Sequence, residues 1–148
     1  MQILTYARRI FSWFYGTSVF NVVRVVDALA STATAEIPVG VAVNASKLVK
    51  AYYLPGAALT ADDTDYATIT VSRYTAAGGS KTTIASLTTE TTAGGGTDDW
   101  TAKVPVALTL AASTDIAAGA LITYEVTKAG SGVALPAGSL VLVLSDAR

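Results

Sequence analysis

Residues 66–74 read Tyr-Ala-Thr-Ile-Thr-Val-Ser-Arg-Tyr. Ala67, Ile69 and Val71 alternate with Thr68, Thr70 and Ser72. Successive side chains of an extended chain point to opposite faces, so this pattern spells a strand with one apolar and one wet face. The same alternation sets Ile122, Tyr124 and Val126 against Thr123, Glu125 and Thr127. A longer run places Trp100, Ala102, Val104, Val106, Leu108 and Leu110 on one face, with Thr101, Lys103, Pro105, Ala107 and Thr109 on the other. Pro105 donates no hydrogen bond, which marks that stretch as an edge strand or a bulge.

Working outward, the short stretches 34–43, 46–54, 66–74, 81–89, 100–110, 121–128 and 140–145, most of them β-branched-rich, give seven expected strands. Between them lie turn compositions: Pro55-Gly56, Ala61-Asp62-Asp63, residues 76–80 (AAGGS), residues 93–97 (AGGGT) and Gly130 to Gly132. No helical period of useful length intervenes. Regularly spaced short strands with turn signals predict an all-β fold, an antiparallel β-sandwich of jelly-roll or immunoglobulin-like type. The run Leu140-Val141-Leu142-Val143-Leu144 is apolar at every position, which predicts a strand covered on both faces, by core on one side and by the arm or a second subunit on the other.

The 148 residues carry ten basic and eleven acidic side chains, and only 14% are charged, against about 25% in typical soluble domains. A chain of this length buries enough surface for one core without disulfides or a metal. It has no cysteine and no histidine. Thiolate nucleophiles, Ser-His and Cys-His catalysis, and Cys/His zinc sites are therefore closed to it. A net charge of −1 without a sustained basic run gives no electrostatic footprint for nucleic acid.

The first 27 residues differ from the rest. Tyr6, Phe11, Trp13, Phe14, Tyr15 and Phe20 are six of the twelve aromatic residues, and residues 1–26 contain Arg8, Arg9 and Arg24 without one acid. From about Ala28 the chain turns rich in Ala, Thr, Val and Gly. The division expected is an N-terminal arm, 1–27, and a sandwich domain, 28–148. Arg8-Arg9 followed by an apolar stretch and Ala28-Leu29-Ala30 has the outline of a secretory signal. The uncharged stretch from Ile10 to Val23, about 14 residues, falls short of the roughly 20 that cross a bilayer, so no membrane partner is expected. The reading adopted is an anchoring arm, with Tyr6, Ile10, Phe11, Trp13, Phe14, Tyr15 and Phe20 burying themselves against a partner subunit. The plainer alternative is that these aromatics extend the domain's own core.

Other constellations read as structural. Asp62, Asp63 and Asp65, and the pair Asp98-Asp99, are crowded in loops rather than facing each other across a groove as glycoside hydrolysis requires. A calcium loop starting at Asp63 would meet Ala67, Thr68 and Tyr74 where an oxygen ligand, Gly and Glu are needed. Gly79-Ser80-Lys81 has the wrong order for a phosphate loop, and Gly130-x-Gly132 is followed by Leu135 rather than a third glycine. Asn44-Ala45-Ser46 is a formal glycosylation sequon and implies no modification without a secretory context. No catalytic residue, metal or cofactor is expected.

Three stretches carry a resemblance: residues 54–71, from Leu54-Pro55-Gly56 through Ala58-Leu59-Thr60-Ala61-Asp62 to Tyr66-Ala67-Thr68-Ile69-Thr70-Val71; Ala93-Gly94-Gly95 before Trp100; and residues 128–138, Lys-Ala-Gly-Ser-Gly-Val-Ala-Leu-Pro-Ala-Gly. Together they span roughly residues 37 to 144, and they resemble the small β-rich modules of tailed-bacteriophage virion proteins. The resemblance implies a capsid decoration, or cement, protein: a dimer or trimer on the outer surface of the capsid that bridges copies of the major capsid protein. On that expectation the arm, with Leu140, Leu142 and Leu144 of the apolar C-terminal strand, forms the contact surface. The competing expectation is a fibre-attachment or receptor-binding module whose loops recognise host glycan or protein, with Trp100 beside Asp98-Asp99 as a sugar platform.

Overall fold

The computed structural model describes residues 19–92 and 96–146. Among them the chain is all-β, in two antiparallel sheets that share one apolar core. In chain order the strands are β1 (Val19–Val26), β2 (Ala35–Val41), β3 (Ser46–Pro55), β4 (Ala67–Tyr74), β5 (Lys81–Thr88), β6 (Val106–Ala107), β7 (Thr109–Leu110), β8 (Asp115–Ile116), β9 (Leu121–Lys128) and β10 (Gly138–Asp146). The first sheet runs β1-β10-β3-β6, with β8 also pairing β3, and the second runs β2-β9-β4-β5-β7.

The period-two pattern builds the interior. From the first sheet Val26, Leu48, Ala51, Tyr53, Leu140, Leu142 and Leu144 point inward; from the second come Ala67, Ile69, Val71, Ile84, Leu87, Ile122, Tyr124 and Val126. Tyr53 has its ring centroid 5.6 Å from that of Trp100, and its hydroxyl donates to the Pro136 carbonyl at 2.6 Å. A buried phenol keeps such a partner because an unpaired polar group in the core costs more than the bond returns.

Six of the seven expected strands form close to their expected bounds, at β2, β3, β4, β5, β9 and β10. The seventh does not. The stretch 100–110 breaks into an isolated bridge from Trp100 to Leu59 and two strands of two residues each, β6 in the first sheet and β7 in the second. Lys103 sits at φ 64, in the left-handed region, and Val104 N donates to Thr101 O at 3.2 Å, so the backbone turns where alternation predicted extension. Pro105 follows, and the chain then crosses from one sheet to the other within three residues.

Residues 19–26, assigned by composition to the arm, form the strand β1, paired along its whole length with β10. Its Val-rich sequence needed only a partner of matching length, which lies about 120 residues away in the chain and is invisible to local reading.

Candidate interaction surface

Directly opposed residues of an antiparallel pair share a face, so the register defines what each sheet presents outward. On the first sheet Val23 opposes Val141, Val141 opposes Tyr52, and Tyr52 opposes Ala107. These four side chains form one row across four strands. Val25, Ser139 and Leu54 form the row beside it, and Asn21, Val143 and Lys50 the row on the other side. Three valines of β1 are well exposed, Val19 and Val23 at 60% and Val25 at 73%. Val141, Val143, Tyr52 and Leu54 are half-buried.

The second sheet turns a different face to solvent. Thr68, Thr70, Ser86 and Thr88 lie in register on β4 and β5. Toward the other end of these strands, Lys81 Nζ stands 2.9 Å from Glu36 Oε1 and 2.6 Å from Glu125 Oε2, and the Tyr74 hydroxyl donates to Glu36 Oε1 at 2.9 Å. The hydrogen bond from Lys81, reinforced by Tyr74, holds the Glu36 carboxyl below its ordinary pKa. The two carboxylates, Glu125 foremost, push the Lys81 ammonium up, and the bond to Glu36 raises the Tyr74 phenol. Both glutamates and Lys81 are solvated, so this cluster keeps the face wet more than it stabilises the fold. The first sheet therefore carries an apolar row outside, flanked by Asn21, Lys50 and Ser139, while the outer face of the second is mainly polar.

The structure separates the residues expected to make contacts. Tyr6, Ile10, Phe11, Trp13, Phe14 and Tyr15 lie outside the described residues. Phe20 is half-buried on the inner side of β1 and, with Val22, Val41 and Leu144, lines a cleft of about 200 Å3 between the edges of the two sheets. Leu140, Leu142 and Leu144 are 0%, 0% and 2% exposed and belong to the core. They cannot also form a contact surface, because the pleat turns them toward the second sheet. The outward side of the same apolar run belongs to Val141 and Val143. Sequence reading passed over Val19, Val23 and Val25, although Val-Phe-Asn-Val-Val-Arg-Val-Val carries enough valine to signal a strand.

The acidic residues pin loops. Asp62 Oδ1 accepts from the backbone N–H of Thr64 at 2.7 Å and of Asp65 at 2.8 Å, Asp99 Oδ1 from Ala61 N at 2.8 Å, and Asp98 Oδ1 from Thr92 N at 2.7 Å. Asp65 Oδ1 accepts from Ser131 N at 2.6 Å, tying residues 66 apart, and the Thr91 hydroxyl donates to Asp63. Donors to the charged form lower a carboxyl pKa, and Asp62 and Asp98 are both shifted down in this way, by the backbone N–H groups at Asp62 and chiefly by the Thr92 hydroxyl at Asp98. No group of three or more metal-ligating side chains occurs among the described residues. Trp100 is 2% exposed, with its Nε1 donating to Thr97 Oγ1, so it is core and not a sugar platform.

Comparison with protein-family models finds no match, and comparison with curated proteins finds none either.

Proposed function

We propose that this protein is a non-catalytic structural module that docks on a protein lattice through the outer face of its first sheet. The lattice is a bacteriophage capsid, whose outer surface the protein decorates as a dimer or trimer and stabilises by bridging major capsid subunits. The observation that carries the docking reading is the row Val23, Val141, Tyr52 and Ala107 with its exposed valine neighbours. Contiguous apolar surface on a folded domain marks a contact with another molecule, and here it stands opposite a sheet that is polar outside. The capsid as partner rests on the resemblance of residues 37 to 144 to small virion modules.

The strand pairing supports a jelly roll over an immunoglobulin-like sandwich. The pairs are nested: β1 with β10, β2 with β9, β3 with β6 and β8, and β4 with β5. Successive pairs fall alternately to the first and second sheets, as they would if one long hairpin were wrapped over itself.

The mechanism is mechanical. Each docked copy removes apolar area from water at about 25 cal/mol per Å2, and repetition across a lattice multiplies a contact that is modest singly. Co-sedimentation of the protein with capsids that lack it is the test. The double substitution Val23→Lys, Val25→Lys should abolish pelleting while leaving the unfolding midpoint near that of the parent. Undiminished pelleting would overturn the docking face.

A further inference from the structure

On the polar side of the sandwich, at the end of β4 and β5 remote from Lys81, lies a groove of about 430 Å3. Its floor is built from Thr68 opposite Thr88, and from Ser86, which pairs with Thr109 of β7. Tyr66, Leu87, Glu90, Gly96 and Thr97 complete the lining, and none of the described lining residues is basic.

The wall is held before any ligand arrives. Thr97 N donates to Glu90 O at 2.9 Å, and Gly96 N to Thr91 O at 2.7 Å. Thr97 Oγ1 donates to Thr88 O at 3.0 Å while accepting from the buried indole of Trp100 at 2.8 Å. A Cβ added at Gly96 would collide with the Glu90 carbonyl, so the close approach of the two sides of this loop requires glycine.

We propose that this groove binds a neutral oligosaccharide. Short, stiff threonine hydroxyls serve as donors and acceptors for sugar hydroxyls, with little rotamer entropy to lose. The half-buried Tyr66 ring offers a face to the C–H side of a pyranose, and the Glu90 carboxylate accepts from a pair of adjacent hydroxyls. A phosphate or sialic acid would meet Glu90 without a compensating cation, and a lipid would bury hydroxyls unpaired. The groove opens on the side of the sandwich opposite the apolar face, so a copy docked by that face presents it outward. The sugar site does not depend on the docking reading.

The experiment is a titration of isotopically labelled protein with neutral oligosaccharides of glucose, galactose and N-acetylhexosamines, followed by amide chemical shifts, with a sialylated oligosaccharide in parallel. The expected result is saturable shifts at residues 66–68, 86–90 and 96–97 with a neutral sugar and none with the sialylated one. Tyr66→Ala and Glu90→Gln should each weaken binding about tenfold, the size of one lost stacking or charge-assisted contact. Val23→Lys should leave it unchanged. Absence of shifts at about 10 mM of every neutral sugar, well above the millimolar range of weak ligands, overturns the proposal. So does binding that survives both groove substitutions in proteins whose spectra remain folded.

Discussion

Val23 and Val141 stand directly opposite each other on the outward side of the first sheet, one on an edge strand and one on its neighbour. Turned one residue further along β10, the chain puts Leu140 and Leu142 into the core. The pleat thus divides a continuous apolar sequence between the core and the outer face of the sheet.

That division is measurable on a single strand. Leu142→Ala should destabilise the protein by about 2–5 kcal/mol, the cost of a cavity in a close-packed core. Val143→Thr on the outward face should change stability by less than about 1 kcal/mol. Urea unfolding of the two variants checks the contrast, and equal losses would mean that Val143 is covered in the isolated protein.

The Tyr53 hydroxyl anchors the loop at Pro136 from inside the core. Tyr53→Phe keeps the ring's packing and removes the donor, leaving a carbonyl in a poorly hydrated place. The expected loss is about 1–3 kcal/mol, read from the shift of the denaturation midpoint at unchanged slope.

Alkaline stability follows from the same ring. Burial pushes the Tyr53 phenol up to about 12 and raises Tyr124 as well. A group whose folded pKa lies above its unfolded value contributes stability that is whole below the unfolded pKa and fades as pH climbs toward the folded one. Stability should therefore hold to about pH 10 and decline above it, as tyrosinate forms only in the unfolded chain. A pH titration of the unfolding free energy, repeated with Tyr124→Phe, should show a shallower decline in the variant.

Acid acts in the opposite sense. Asp62 and Asp98 have pKa values below the usual range because backbone and threonine donors hold their charged forms. Their contribution is present above the unfolded carboxyl pKa and is lost as pH falls through the folded one, below about 4. Asp98→Asn should lower stability at neutral pH and make acid unfolding below that pH less steep, the variant converging with the parent once the parent's carboxyl is protonated, as followed by circular dichroism.

Much of the fold was legible because it rests on local pattern. Thr68 and Thr70 against Ala67, Ile69 and Val71 fixed both the strand and its inward face, and β9 followed by the same logic, but Ser72 and Thr123, expected on the wet faces, are 0% and 4% exposed. The stretch 100–110 misled because its alternation was real while its backbone was not extended: Lys103 at φ 64 and Pro105 are conformational facts that hydropathy does not encode. The acids were legible as loop residues, yet their use as acceptors for backbone N–H groups on distant loops, such as Asp65 for Ser131, required the folded chain.

Composition alone determined that this chain has no thiol or imidazole chemistry, that it has one core, and that its strands are short and antiparallel, since these properties depend on residue type and period-two spacing. Tertiary structure decided what those strands present to the world. Pairing β1 with β10 moved residues 19–26 from arm to sheet, sent Leu140, Leu142 and Leu144 inward, and gathered Val23, Val25, Val141 and Tyr52 on one face. The physical reason is that which side of a strand becomes surface depends on where its partner sheet lies, and that partner is chosen by contacts between residues far apart in the chain.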